Sequence, residues 1–140
     1  FSKKKKNQNV FVIISDGELN EGTTWEAAMF ASHNNLNNLK VFIDNNKIQS
    51  FGSTKDVLNN EPIKEKWESF NWQVFTIDGH NYKDYFKIKQ NLLRSRKPCV
   101  VICNTIKGKG VSFMENNLDW HYKSVSEEQY KLSINEINEK

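Results

Sequence analysis

The sequence predicts an α/β protein with a doubly wound parallel sheet, and two observations carry the prediction. First, four short apolar segments alternate with segments of helical periodicity along the 140 residues. Second, each apolar segment is followed by a polar or glycine-containing turn, as expected where a buried strand ends. Strand–helix–strand repetition gives parallel strands joined by right-handed crossovers, with helices on the faces of the sheet.

The four strands are predicted from short runs rich in β-branched residues. The first run, VFVII at residues 10–14, is continuously apolar and ends at Ser15, which is typical of a parallel strand buried on both faces. The other strands are expected at residues 40–43, 72–77 and 99–105. Cys99 and Cys103 lie four apart on one face of the last strand, so we expect reduced, buried thiols.

The helices are predicted from capping residues and apolar periodicity. Thr23 followed by Glu26 has the form of a capping box, which predicts a helix running to about residue 36. Two more helices are expected at residues 63–70 and 82–93. Ser126 followed by Gln129 predicts the cap of a last amphipathic helix. The long stretch between residues 105 and 126 is predicted to be irregular and to serve a site.

Charge and hydropathy exclude several classes of function. The formal net charge is +3, but the run Lys3–Lys6 holds four of the 20 Lys and Arg residues against 17 Asp and Glu, so the rest of the chain is near neutral. The chain has no basic stripe of the kind that predicts nucleic-acid binding, and no apolar run long enough to span a bilayer. We expect a cytoplasmic protein.

Polar side chains that follow the first two strands suggest a metal site. Asp16 and Asn46 are 30 residues apart, the length of a strand–helix–strand crossover, which would bring a carboxylate and an amide together on neighbouring strand ends. These oxygen ligands suit Mg²⁺ and leave positions free for phosphate oxygens. Gly17 would let the backbone approach an anion without a side chain in the way. The residues therefore predict a magnesium–diphosphate cradle.

Several motifs together resemble one known family. The runs SDGELNEG at residues 15–22, WEAAM at 25–29 and IDNN at 43–46 look like the thiamine-diphosphate signature of transketolases. The resemblance continues through IDGH at 77–80, Lys97-Pro98 and TIKGKGVSFMEN at 105–116 to Trp120-His121. It is closest to the N-terminal subunit of two-chain transketolases.

The resemblance implies a thiamine-diphosphate-binding fold, here the diphosphate domain, and a set of cofactor ligands. The Asp16 and Asn46 side chains and the Ile48 carbonyl would bind Mg²⁺, and Gly17 would contact the diphosphate of thiamine diphosphate. This agrees with the cradle predicted from the residues alone.

The resemblance also implies three catalytic residues. Glu21 and Glu26 would belong to an acidic network that links paired active sites, although Glu26 could instead be a simple capping residue. His121 would approach both the diphosphate and the substrate, where an imidazole can donate a hydrogen bond or move a proton. Lys107 and Lys109 flank glycines, but we interpret them as solvated and assign them no role.

Two positions depart from the family pattern, and two regions are missing. The family usually has glycine where Ser15 and Tyr122 stand. A long upstream region with further histidines is absent, as is the pyrimidine-binding domain. We therefore expect one N-terminally incomplete domain over residues 1–140, with a polar, basic segment at 1–9. It would need a pyrimidine-binding C-terminal half or subunit, in a dimer or heterotetramer, to turn over.

The function implied is that of a transketolase of the pentose phosphate type, which moves a two-carbon ketol unit between sugar phosphates. Two alternatives stay open. The first is another thiamine-diphosphate reaction, because deoxyxylulose-phosphate synthases and oxo-acid dehydrogenases share the magnesium signature. A non-catalytic remnant or interaction subunit is the other.

Overall fold

The structure, a computed structural model, describes residues 8–139 and is built on a parallel four-stranded sheet. The strand order is β1-β2-β6-β5, and each neighbouring pair is parallel. A separate two-stranded antiparallel hairpin is formed by β3 and β4. The strands are β1 Val10–Ser15, β2 Leu39–Asn45, β3 Ile48–Gln49, β4 Gly52–Ser53, β5 Gln73–Asp78 and β6 Cys99–Asn104. The lysine run lies outside the described residues.

Five α-helices connect or follow the strands, and the crossover helices lie on both faces of the sheet. They are α1 Gly22–His33, α2 Thr54–Leu58, α3 Ile63–Ser69, α4 Tyr82–Arg94 and α5 Glu127–Asn138. This arrangement confirms the predicted doubly wound class. Over residues 8–139, no helix combines the length and apolar character that a membrane crossing needs.

Two apolar layers hold the helices against the sheet. On one face, α1 and α3 pack on Val41, Ile43 and Val100, and the Trp67 and Trp72 rings meet edge to face at 4.8 Å. On the other face, side chains of α4 pack with alternate residues of β6. Cys99 and Cys103 belong to this second layer as buried free thiols, as the sequence predicts.

β1 differs from the prediction of a strand buried on both faces. It is an edge strand that pairs only with β2 within the described residues. Its side chains at Phe11 and Ile13 are 56% and 78% exposed, and neither belongs to the apolar layer that α4 forms with the neighbouring strands. A continuous apolar run is expected where both faces of a strand are buried, but within the described residues the face of β1 that carries Phe11 and Ile13 stays exposed.

The predicted start and end of α1 are wrong, whereas the cap of α5 is confirmed. α1 begins at Gly22, with Glu21 at the N-cap, so Thr23 lies inside the helix and cannot cap it. The helix ends at His33 because Asn35 adopts a left-handed conformation with φ of 51°. At α5, the Ser126 and Gln129 side chains each accept a backbone N–H of the other residue.

The sequence did not predict the segment that links β2 to α3. This segment forms the β3–β4 hairpin and α2. Two short 3₁₀ helices were also not predicted: Gly17–Asn20 directly follows β1, and Leu118–His121 interrupts the stretch expected to be irregular. Both 3₁₀ helices and the hairpin border the same cavity.

Candidate functional site

The candidate site is a polar cavity of about 600 Å³ at the carboxyl ends of β1 and β2. The turn after β1 and the segment after β2 form its floor, and the hairpin and the second 3₁₀ helix form its walls. The cavity brings together most of the predicted site residues, namely Asp16, Gly17, Glu21, Asn46, Ile48 and His121. These residues come from separate parts of the chain, and the parallel sheet is what gathers them.

Asp16 lies at the bottom of the cavity and is only 1% exposed. Its Oδ2 accepts the backbone N–H of Lys47 at 2.5 Å, which fixes the segment between Asn46 and Ile48 against the end of β1. Lys47 adopts a left-handed backbone conformation with φ of 64°, an unfavourable one for a residue with a side chain. The side chain of buried Asn60 donates to the Asp16 carbonyl at 3.2 Å.

Burial makes the charged form of Asp16 unfavourable. Burial raises the pKa of this carboxyl group above its ordinary value, and the nearby Asp44 carboxylate raises it further. The backbone N–H groups of Lys47 and Gly17 oppose the increase without cancelling it. The electrostatics of the cavity floor therefore favour a bound positive charge.

Asn46 and Ile48 are held by a short set of hydrogen bonds. Asn46 Oδ1 accepts the backbone N–H of Ile48 at 2.9 Å, and its Nδ2 donates to Asp44 Oδ2 at 3.2 Å. Asp44 in turn accepts a hydrogen bond from the Thr105 hydroxyl at the end of β6. The segment after β2 is thus tied to β6 as well as to the turn after β1.

Gly17 begins the 3₁₀ helix that follows β1, and the Gln49 side chain lies against its backbone. A Cβ at this position would lie 3.4 Å from Gln49 Cβ, an ordinary van der Waals contact. The fold of the described residues therefore does not require glycine here. What glycine provides is a backbone without a side chain of its own in the way of a ligand.

Ser15, which stands where the family usually has glycine, fits the turn without displacing it. The Ser15 hydroxyl accepts the backbone N–H of Glu18 at 3.2 Å, and the Glu18 carboxylate accepts the Ser15 N–H at 2.7 Å. This reciprocal pair is of the capping-box type and stabilises the first turn of the 3₁₀ helix. The Ser15 side chain therefore has partners of its own.

His121 ends the second 3₁₀ helix and reaches the cavity from the opposite wall. Its ring is exposed and lies 4.9 Å from the ring of Tyr122, the other residue that departs from the family pattern. Tyr122 has φ of −129°, a conformation open to any residue, so glycine is not needed there. Lys107, to which the sequence pattern assigned no role, also lines the cavity.

The two glutamates differ in position. Glu21 is exposed and lies at the rim of the cavity, at the N-cap of α1. Glu26 is also exposed, but it lies further along α1 and does not line the cavity. The alternative role of Glu26 in a capping box is wrong, because α1 begins before Thr23.

A larger cavity of about 810 Å³ lies beside the candidate site and shares Asp44, Asn46 and Lys107 with it. Its walls are mainly apolar and include the exposed Phe11 and Ile13 side chains of β1. The smaller cavity is the better candidate because it contains the buried Asp16 carboxylate and Gly17.

No cluster of three or more His, Cys, Asp or Glu side chains suited to a metal occurs in residues 8–139. A set of one carboxylate, one amide and one backbone carbonyl is a different kind of metal site.

A parallel α/β sheet with a polar cavity and a glycine turn at its carboxyl edge defines a class of proteins that bind anionic ligands at strand ends. Comparison with known proteins narrows the class. The chain belongs to the transketolase family, because the family model described as "Transketolase, thiamine diphosphate binding domain" matches residues 2–137. The resemblance inferred from the motifs is confirmed.

Individual relatives agree with this assignment. The 6-deoxy-6-sulfo-D-fructose transketolase subunit of Clostridium sp. (strain MSTE9) is 42% identical over 129 residues, which cover 91% of this chain and 47% of the relative. An apulose-4-phosphate transketolase subunit of Actinobacillus succinogenes is 36% identical over 137 residues, covering 98% of this chain and 50% of that protein. The chain thus spans about half the length of these curated relatives.

A solved structure supports the fold directly. The transketolase of Campylobacter jejuni superposes with a TM-score of 0.90 at 28% sequence identity, over 98% of this chain and 23% of that one. The fold is therefore that of the thiamine-diphosphate-binding domain of transketolases.

Proposed function

We propose that this chain holds magnesium and the diphosphate of thiamine diphosphate for a transketolase that moves a two-carbon ketol unit between sugar phosphates. The observation that carries the proposal is the meeting of Asp16, Asn46 and Ile48 around one cavity beside Gly17. Membership of the family suggests thiamine diphosphate as the cofactor, and we propose that its diphosphate binds in this cavity.

The cavity floor fits a magnesium ion. A carboxylate, an amide oxygen and a backbone carbonyl are hard oxygen ligands, and Mg²⁺ completes its octahedron with phosphate oxygens and water. The Asp16 carboxylate is buried with a raised pKa, so a cation would relieve an existing electrostatic cost. Asp16, Asn46 and the Ile48 carbonyl would be its protein ligands.

The walls fit the diphosphate that would share this ion. Gly17 leaves the backbone accessible, and the cavity is also lined by Lys107 and His121, which can donate hydrogen bonds to phosphate oxygens. The acidic floor and the donors on the walls match an ion pair of magnesium and diphosphate better than either ion alone.

The remaining residues would act on the substrate and on the partner. Bound thiamine diphosphate would supply the carbon nucleophile that carries the two-carbon unit. His121 is exposed at the mouth of the cavity, where it could hold a proton or a hydrogen bond next to a sugar hydroxyl. Glu21 and Glu26 are both exposed, and we assign them to an acidic network across the contact with a pyrimidine-binding partner.

The relatives' names bear on the class of sugar. One relative is named for a sulfonated ketose and another for a ketose phosphate. We therefore propose as donor a ketose with an anionic terminal group, and a phosphate is the first to test. Donor preference in a reconstituted assay would separate a transketolase from a deoxyxylulose-phosphate synthase or an oxo-acid dehydrogenase.

The test is calorimetric titration of magnesium thiamine diphosphate into the chain, alone and mixed with a transketolase C-terminal half. We expect binding that Asp16→Ala abolishes, because the substitution removes the one carboxylate proposed as a magnesium ligand. Asp84→Ala is the matched control, since Asp84 lies in the first turn of α4 on the other face of the sheet. Unchanged affinity in Asp16→Ala would exclude this site, and failure to bind in any mixture would favour a non-catalytic remnant.

A further inference from the structure

Asn20 and Gln49 form a pair of amides at the edge of the candidate site. Asn20 Nδ2 donates to Gln49 Oε1 at 3.1 Å, which joins the 3₁₀ helix after β1 to strand β3. Both side chains line the cavity, and Gln49 lies directly over Gly17. The pair is therefore next to the place where the diphosphate is proposed to bind.

Each amide of the pair has one polar atom without a hydrogen-bond partner. Three buried side-chain polar atoms have no hydrogen-bond partner in residues 8–139, and two of them are Asn20 Oδ1 and Gln49 Nε2. The third, Trp67 Nε1, lies in the apolar core. A buried donor or acceptor without a partner costs about 1–3 kcal/mol, so native structures seldom keep one without a reason. Two of them side by side at a ligand cavity indicate groups that a ligand satisfies.

The result does not depend on which way the amides are turned. Exchanging oxygen and nitrogen in both side chains keeps one hydrogen bond between them and again leaves one donor and one acceptor unpaired. The terminal torsion of glutamine is broad, so the Gln49 amide can rotate toward the cavity at little cost. In either orientation one N–H and one C=O stay unpaired, and because both atoms are buried, the Gln49 amide has to turn before they can meet a group in the cavity.

We propose that Asn20 and Gln49 are additional cofactor-binding residues: the free amide donor binds a diphosphate oxygen, and the free amide oxygen accepts a hydrogen bond from a magnesium-bound water. This inference rests on the proposed function and extends it to two residues that the sequence motifs did not single out. A diphosphate is rich in acceptors and metal-bound water is a strong donor, so the two ligand groups match the two unpaired atoms.

The competing explanation is that the pair only ties the 3₁₀ helix to the hairpin. The two explanations make opposite predictions for ligand affinity. If the pair only ties the 3₁₀ helix to the hairpin, replacing both amides by apolar residues leaves the affinity for the cofactor unchanged. If the pair binds the cofactor, the replacement lowers that affinity while ligand-free stability is kept or raised, because apolar groups of similar shape remove the unpaired atoms.

The experiment uses the double variant Asn20→Leu/Gln49→Met, which keeps the approximate shape of both side chains. Its melting temperature without ligand is compared with the parent, and its affinity is measured for magnesium thiamine diphosphate and for magnesium with inorganic diphosphate. Gln90→Met, on the exposed side of α4, is the matched control. Gln49→Glu serves as a second variant, since a carboxylate still accepts from Asn20 but carries no donor and repels phosphate.

We expect the ligand-free melting temperature of the double variant to equal or exceed that of the parent, and affinity for both probes to fall roughly ten-fold or more, as for loss of a hydrogen bond to a charged group. Gln49→Glu should weaken binding at least as much. A lower melting temperature with unchanged affinity would overturn the inference and leave the proposed function standing. If the parent binds neither probe, the proposed function fails, and this inference fails with it.

Discussion

Replacing Gly17 with alanine should have opposite effects on the stability of the fold and on the affinity for the cofactor. The added Cβ would lie 3.4 Å from Gln49 Cβ and 3.5 Å from its Oε1, so the ligand-free structure has room for it. Gly17 starts a 3₁₀ helix with a conformation that alanine can also adopt. Because alanine has fewer conformations in the unfolded chain, Gly17→Ala should stabilise the protein by about 0.4–1 kcal/mol. That gain corresponds to a rise in melting temperature of roughly 1–5 °C.

In the proposed function a diphosphate approaches this backbone, and the added methyl group would hinder that approach. Losing one hydrogen bond to a charged phosphate costs about 1.5–3 kcal/mol, which is a fall in affinity of roughly 10- to 150-fold. The prediction is therefore a more stable protein that binds magnesium thiamine diphosphate much more weakly. Differential scanning calorimetry measures the first effect, and isothermal titration measures the second.

Gly108 provides the contrasting control for stability. Its φ is +73°, and a Cβ there would lie 2.5 Å from the backbone oxygen of Met114, so Gly108→Ala should lower the melting temperature clearly. If Gly17→Ala also lowers it, the fold does not tolerate the 3.4 Å contact with Gln49 Cβ. If Gly17→Ala binds the cofactor as tightly as the parent, the diphosphate does not approach this backbone.

Two further predictions concern pH. Since the pKa of Asp16 is raised in the folded chain by burial, the contribution of this group to ligand-free stability should fall as pH rises from 3.8 through the folded pKa. Asp16→Asn should therefore be more stable than the parent near neutrality, with the gain vanishing in acid, as denaturant titrations across pH would show. A difference between the two proteins that does not change with pH would contradict the assignment. Burial and the hydrogen bond to Cys103 raise the pKa of Tyr85 to about 12, so Tyr85→Phe should lose a phenolate absorbance step near that pH. A step lost near the ordinary tyrosine pKa of 10.0 would contradict this.

The sheet and the main site residues could be predicted because local sequence determines them. A parallel strand must be apolar, and the residue after it must turn, so Asp16 and Asn46 could be placed at neighbouring strand ends from the sequence pattern. Their separation equals one crossover, which fixes their proximity in the fold. The structure agrees with this placement, and their role as magnesium ligands stays a prediction.

The hairpin and the start of α1 could not be predicted, since short elements depend on contacts made elsewhere. Lys47 is held at positive φ while its N–H bonds to Asp16, a partner 31 residues away, and no local signal reports this. The start of α1 was misplaced because two S/T-x-x-E patterns compete. Ser15 with Glu18 forms the reciprocal bonds, whereas Thr23 lies within the helix. A role for Gln49 could not be predicted, because a single glutamine outside any motif gives no sequence pattern.

The ligand-free site combines several features that each cost stability. Asp16 is buried with an unfavourable charge, Lys47 is held in a left-handed conformation, and the Asn20–Gln49 pair keeps a donor and an acceptor unpaired. Away from the site, Trp67 Nε1 is the one buried side-chain polar atom of residues 8–139 without a partner. Costs concentrated at one cavity are expected where folding has fixed a site for a charged ligand. A magnesium–diphosphate pair would relieve the charge and the unpaired amides together, so one ligand accounts for features that otherwise need separate explanations.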